Sequence, residues 1–295
     1  MSSQARHLFG DRILLSRRPE PTPGMSWSDG NGSFYTMSEA PTPPPPSRPL
    51  SATTHIKKVY DAGDASAVWD LGDAFCKAKN LDPETTREHT TLAYLRSKPC
   101  LSFTIPHVYY HAEYDGRYYI ILSRVAGETL GKVWPSMNDD TKQHYVYRVA
   151  NICRELSAWQ SSKISGADGG YLSDQFLTPR SQERLDFRPE SLVANCKAAG
   201  MDCTTYFFYH CDLGPGNILL DVSKRTVGII DWETAGFVPR EWIRTKFHIS
   251  SGMDLDMPGD DGRIEWRVAV RRQLAKEGFP EVADEWYSWW RTEEV

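Results

Sequence analysis

The sequence predicts an α+β fold of two lobes, a strand-rich N-terminal lobe carrying one helix and a mainly helical C-terminal lobe. Three observations predict it. Residues 53–125 alternate short aromatic and β-branched runs with Gly and Asp turn signals, the period-two pattern of half-buried strands. From residue 126 onward, apolar residues recur at helical spacing. Within that helical half, residues 205–231 read as a short strand and a hairpin that carry closely spaced His, Asp and Asn residues.

The elements follow in order. Residues 1–50 differ from the rest and end in APTPPPPSRPL, a stretch that favours polyproline II and cannot build a core. They are expected to form a disordered, proline-rich arm. Within residues 1–18, Arg6, Arg12, Arg17 and Arg18 against the single acid Asp11 give a faint likeness to a mitochondrial presequence, although a basic arm is the simpler reading. Pro43, Pro46 and Arg48 fit a PxxPxR pattern for an SH3-type partner; a stiff linker is the preferred alternative. Residues 51–125 form the first lobe. THIKKVY (54–60), SAVWDL (66–71) and DAFCKAK (73–79) read as strands, with Gly72 in the tight turn between the last two. Residues 83–96 read as a helix with Pro83 near its start and Leu92 and Leu95 on one face. HVYYHAEYDGRYYIILSRV (107–125) reads as a hairpin turning at Asp115-Gly116.

Residues 126–295 form the second lobe. Asp139 and Asp140 open a helix whose Val146, Val149, Cys153 and Leu156 share a face, and SLVANCKAAG (191–200) is a helix stopped by Gly200. The C-terminal tryptophans, Trp266, Trp286, Trp289 and Trp290, are expected to anchor terminal helices rather than cage a ligand. Gly127–Lys132 resembles a phosphate-binding Walker loop but is one residue short, with Val133 where Ser or Thr belongs.

Composition excludes several function classes. A net charge of -5 and 40% hydrophobic residues describe a globular chain without the basic excess of a nucleic-acid binder. No apolar run is long enough to span a bilayer, and no secretory h-region opens the chain. The six cysteines form no C-x-x-C pair, which suits reduced thiols in a cytoplasmic protein. His107 and His111 lie in a strand-like context, where a spacing of four makes no helical ligand pair.

The chemistry is concentrated in YHCDLGPGNILLDVSKRTVGIIDWETAGF (209–237). His210 and Asp212 form an H-x-D, Asn217 follows Asp212 by five residues, and Asp231 opens D-W-E after a hairpin. Phosphoryl transfer needs little covalent chemistry from the protein; it needs positioning and neutralisation of phosphate charge. An aspartate must meet the acceptor hydroxyl, which Asp212 suits. Hard oxygen ligands must hold Mg²⁺, which Asn217 and Asp231 suit. His210 joins Asp212 as a candidate catalytic residue.

This segment resembles the aminoglycoside phosphotransferase and choline kinase family, which has a protein-kinase-like fold. Its H-x-D-L-x-x-x-N-[IV]-L-x-D run is matched by His210 to Asp221, and its I-D-[WF]-E/D-x-A run by Ile230 to Ala235. REHTTLAYL and VPREW are similar to a branch abundant in fungi. The resemblance spans about residues 53–255 and implies ATP and Mg²⁺ as cofactors and a small-molecule acceptor. It implies a phosphate-binding lysine on the third strand, for which Lys77 is the candidate and Lys79 the second choice. It implies a partner glutamate on the next helix, Glu88 or else Glu84, and main-chain contacts to adenine at Ser123, Arg124 and Val125. The first lobe lacks a G-x-G-x-x-G loop, which favours the competing reading, a pseudokinase-type scaffold. A protein-directed kinase fits less well, because no A-P-E follows the metal aspartate. Glu233, two residues after the metal aspartate, suits either a supporting role at the metal or a place at the acceptor pocket; Asp254, Asp256, Asp260 and Asp261 suggest a cationic or polyol acceptor by the same resemblance, with a solvated acidic loop the plain alternative.

Overall fold

A computed structural model describes residues 6–9, 12–22, 26–46, 54–180 and 185–291. The chain divides into two units, one of residues 1–83 and 106–124, the other of residues 84–105 and 125–295.

The first unit is built on a five-stranded antiparallel sheet. Its strands are β5 (Lys57–Asp61), β6 (Ser66–Asp70), β7 (Ala74–Asn80), β8 (Val108–Tyr114) and β9 (Arg117–Ser123), in the order β5-β6-β7-β9-β8. The β8–β9 hairpin turns at the expected Asp115-Gly116, with φ of 49° and 69°, the mirror-image turn that matches strand twist. Along β7, Ala74, Cys76 and Ala78 are buried. The alternation of a strand therefore puts Phe75, Lys77 and Lys79 on the opposite face.

The expected disordered arm is largely replaced by a second sheet. Residues β1 (Arg6–Phe9), β2 (Ile13–Arg18), β3 (Ser26–Ser28) and β4 (Phe34–Glu39) pair antiparallel in the order β1-β2-β4-β3. Ile13, Leu15, Trp27 and Tyr35 bury one face of it; Leu15, Trp27 and Tyr35 cluster with Leu71, Cys76 and Ile121, and Ile13 clusters with Ala78 and Tyr119. Trp27 stacks on Tyr109 at 5.1 Å between centroids and donates its indole N–H to Leu71 O at 3.0 Å. The β3–β4 turn is held by Asp29, whose Oδ1 accepts from Asn31 N at 2.8 Å and Ser33 N at 2.9 Å. These apolar contacts outweigh the disorder-prone composition around them. The described part of the proline run beyond Glu39 carries no strand, and Arg48 of the PxxPxR pattern lies outside the described residues.

The second unit begins with α1 (Glu88–Arg96). This helix starts later than the sequence suggests, because residues 84–86 are drawn into an extended pairing: Tyr171 N donates to Glu84 O at 2.9 Å and Thr86 N to Tyr171 O at 3.1 Å. Then come β10 (Glu128–Thr129), α2 (Leu130–Val133), α3 (Asp139–Leu156), β11 (Gln160–Ser161), β12 (Ser165–Gly166) and α4 (Pro189–Ala198). Asn138 caps α3, its side chain accepting from Thr141 N, and all four apolar residues predicted for its face are buried. The site strands follow: β13 (Tyr206–Tyr209), the β14 (Ile218–Asp221)–β15 (Thr226–Ile229) hairpin and β16 (Gly236–Val238). Helices α5 (Arg240–Ile249), α6 (Asp260–Lys276) and α7 (Ala283–Trp290) close the chain. Trp134, Trp232, Trp242, Trp266 and Trp286 are buried packing residues. Among the described residues, no helix is long and apolar enough to cross a membrane.

Candidate active site

The loop from His210 to Asn217 is closed by its own hydrogen bonds. Gly214 N donates to Asp212 O at 2.9 Å, and Asn217 N donates to Gly214 O at 3.0 Å. The Asn217 amide reaches back to Asp212 twice, Nδ2 donating to the main-chain O at 2.8 Å and to Oδ2 at 3.0 Å. With its nitrogen committed to Asp212, Asn217 has its carbonyl oxygen to offer a cation.

His210 departs from the catalytic role the sequence suggests. It is fully buried, Nδ1 accepts from Asp212 N at 3.2 Å, and Nε2 lies 3.0 Å from Ile230 O. Those bonds fix the tautomer with the proton on Nε2, and leave neither ring nitrogen to meet a substrate. The ring packs edge-on against Trp232 at 4.5 Å. His210 is a pin that joins the Asp212 loop to the segment before Asp231.

The hairpin brings the second half of the site back. Ile218 pairs with Ile229, and Ile230 N donates to Asn217 O at 3.0 Å. Asp231 then adopts a left-handed conformation, φ 66° and ψ 61°, uncommon for a residue with a Cβ and a mark of strain held in place by its surroundings. The restraint comes from the flanking residue: Trp232 N donates to Glu88 Oε1 at 3.1 Å, and Trp232 Nε1 donates to Ile229 O at 3.0 Å.

Glu88, at the start of α1, is 1% exposed. One carboxylate oxygen each from Glu88, Asp231 and Glu233 lies within 4.8 Å of the others. Such hard oxygen donors fit Mg²⁺, and Asn217, whose main-chain O accepts from Ile230 N just before Asp231, is a further candidate oxygen ligand. Glu84, the alternative to Glu88, lies before the helix.

Burial pushes the Asp212 carboxyl above the ordinary aspartate range; the Lys246 cation and the Asn217 hydrogen bond pull it back, while the charges of Asp231 and Asp174 add to the rise. Lys246 and Asp174 were not legible as site residues. They form a buried ion pair, 3% and 2% exposed with Nζ–Oδ1 at 2.9 Å, and only the folded chain brings 174 and 246 together behind the loop.

In the first unit, Lys77 sits mid-strand on β7, opposite Ile120 of β9. The expected adenine contacts narrow: Ser123 N donates to His107 O at 2.7 Å and Arg124 N to Asp73 O at 2.7 Å, so those two N–H groups are spent inside the sheet. The Arg124 guanidinium is likewise held, by Gly72 O at 2.8 Å and Asp70 at 2.7 Å. The downstream acids are partly neutralised within the chain. Asp254 is bound by Arg267 and by Arg263, the latter at 3.2 Å, and Asp260 meets Arg263 at 3.4 Å. This pairing weakens their case as a trap for a cationic acceptor.

Residues 62–242 match the family model described as the phosphotransferase enzyme family. Among solved structures, the chain is similar to a thermostable mutant of aminoglycoside phosphotransferase APH(4)-Ia in a ternary complex with AMP-PNP and hygromycin B. That likeness has a TM-score of 0.53 at 15% identity, covering 79% of this chain and 82% of that one. The crystal structure of aminoglycoside phosphotransferase APH(4)-Ia gives a TM-score of 0.50 at 15% identity, covering 81% and 94%. These likenesses show a protein-kinase-like fold. A search of curated protein sequences finds no match.

Proposed function

The chain belongs to the phosphotransferase enzyme family, and on that premise we propose that it transfers the γ-phosphoryl group of ATP to a hydroxyl of a small molecule, with Mg²⁺ as cofactor. The observation that carries this reading is the Asp212 carboxyl, held by Asn217 at 3.0 Å and raised by burial with the charge of Asp231, a member of the three-carboxylate cluster, adding to the rise. The residues proposed as base and cation ligands lie on one loop and the hairpin that follows it, with Glu88 contributed by α1. The neighbour in complex with AMP-PNP and hygromycin B supports a nucleotide and a small-molecule acceptor here.

Asn217 holds Oδ2 of Asp212, which directs Oδ1 toward the acceptor. Asp212 orients the hydroxyl and takes its proton as the oxygen attacks the γ-phosphorus; the bond to the bridging oxygen breaks and ADP leaves. Asn217, Asp231 and Glu233 would hold Mg²⁺, which supplies neutralisation of phosphate charge. Glu88 fixes the D-W-E backbone through Trp232 N. Lys77 is the residue proposed to meet the nucleotide phosphates. His210 positions Asp212 from beneath.

Thermal unfolding with Mg·ATP, with ATP plus EDTA, and without nucleotide tests the reading in wild type and Asp231→Ala. Nucleotide at about 100 times its dissociation constant stabilises by roughly 2.7 kcal/mol, a rise of several degrees. A rise that needs Mg²⁺ and disappears in Asp231→Ala is expected. No rise in wild type would overturn the enzyme reading in favour of a pseudokinase scaffold.

A further inference from the structure

Two of the six cysteines meet in the fold. Cys196 is buried in the last turn of α4, and Cys203 is partly exposed just beyond it. The helix stop produces the meeting. Gly200, at φ 81°, reverses the chain, with Gly200 N bonded to Lys197 O and Met201 N to Cys196 O, both at 3.0 Å, a helix-ending turn that satisfies the last carbonyls. The Cys203 sulfur then lies against the preceding turn of the helix, 3.9 Å from Val193 O and 3.8 Å from Met201 O. Each thiol is the foremost influence on the other's ionisation, and Tyr206 also acts on Cys203.

We propose that Cys196 and Cys203 form a peroxide-responsive dithiol, in which Cys203 is the attacking sulfur and Cys196 the resolving one, closing to an intrachain disulfide. Cys203 leads, three residues on, into β13, the strand that ends at Tyr209, next to His210. The modification therefore sits at the entry to the catalytic loop.

The surroundings divide the roles. Cys196 lowers Cys203 to about 7; burial opposes this, Tyr206 and Lys197 add to it, and Asp202 opposes it. The thiolate is the reactive form. Cys196 is pushed the other way by Cys203, by burial, and by the Asp174 and Glu241 charges, so it keeps its proton until it is needed. Burial raises the thiols of Cys76, Cys153 and Cys211.

The chemistry balances. The Cys203 thiolate attacks one oxygen of hydrogen peroxide, the O–O bond breaks, and hydroxide leaves and is protonated to water. Cys203 is then a sulfenic acid. The Cys196 sulfur displaces its hydroxyl, which departs with the Cys196 proton as a second water. Two thiols give up two electrons to one peroxide.

The test uses the full chain, needs no acceptor or nucleotide, and so stands apart from the phosphotransferase reading. Wild type, Cys196→Ser and Cys203→Ser are treated with hydrogen peroxide at neutral pH, alkylated and mapped by mass spectrometry, with exposed Cys100 as internal control. Wild type is expected to yield a Cys196–Cys203 disulfide peptide, and Cys196→Ser a dimedone-trapped sulfenic acid at Cys203. Cys203 should alkylate about tenfold faster than Cys100 at neutral pH. Cys203 reacting no faster than Cys100, or wild type accumulating Cys203 sulfenic acid without a disulfide, would overturn the proposal. If Cys203→Ser does not fold, wild type and Cys196→Ser decide it alone.

Discussion

Replacing Lys246 with Met removes a cation from a place where water cannot substitute for it. Asp174 Oδ1 accepts from Lys246 Nζ at 2.9 Å and Phe176 N at 3.1 Å; Oδ2 accepts from Trp242 Nε1 at 2.8 Å and Nζ at 3.1 Å. The ammonium also lies 4.2 Å from the Phe176 ring centroid. In Lys246→Met the carboxylate keeps its two N–H donors and loses its counter-charge. Stranding a buried charge in this way costs about 3–5 kcal/mol, on the order of 10 °C in melting temperature for a chain of this size. Adding Asp174→Asn removes the stranded charge, so the double variant should recover more than half of the loss, a coupling that a thermodynamic cycle reads directly. Calorimetric melting of the four proteins is the assay. The reasoning is refuted if Lys246→Met costs under about 1 kcal/mol, where a solvent-exposed pair would fall, or if the double variant melts no higher than the single. A second readout follows from Lys246 being the cation that draws the Asp212 carboxyl back toward its ordinary range: the acid limb of any transfer activity should move to higher pH in Lys246→Met.

Other outcomes follow from the same geometry. Asp212→Asn should lose roughly 10²- to 10⁴-fold in turnover and yet melt higher at neutral pH. A carboxyl raised by folding contributes stability below the ordinary aspartate range and loses it as pH rises through its folded value, so the gain should vanish in acid. Trp27→Ala should destabilise the first unit by about 3–5 kcal/mol in urea titration, whereas a disordered arm would be silent. Gly236→Ala would place a Cβ 2.4 Å from Ser165 O and 3.0 Å from Gly166 Cα; overpacking against backbone should cost about 1–3 kcal/mol by thermal melting.

The strands and first helix of residues 54–125, α3, α4 and the β14–β15 hairpin were legible because each carried its own local signal, whereas the short strands β10, β11, β12 and β16 and the helices α2 and α5 carried none strong enough to read. The Asp115-Gly116 turn and the Asn138-Asp139-Asp140 opening of α3 are chemical instructions that survive any packing. The Asp212–Asn217 spacing was legible for the same reason: a tight loop fixes who can meet whom. The N-terminal sheet was missed because proline-rich composition near residue 45 coloured the reading of everything before it. The signal was there: Asp29-Gly30 and Asn31-Gly32 between SWS and FYTMSE mark a hairpin. His210 was placed at the right position with the wrong task, since spacing reveals neighbours but not burial. The left-handed Asp231 and the Lys246–Asp174 pair depend on long-range packing, which no local pattern encodes.

The position of β9 has a consequence for the nascent chain. It lies between β7 and β8 in the sheet, yet it is made only after the chain has left to build α1 in the other unit. On the ribosome, β7 emerges complete at Asn80 and waits until Arg117 for its partner. At about 5–20 residues per second, the strand bearing Lys77 spends several seconds as a bare edge, a ready template for wrong pairing. Lys77 and Lys79 on that edge, charged and on one face, serve as a guard during synthesis, and loss of either charge should lower soluble yield before it alters the finished fold.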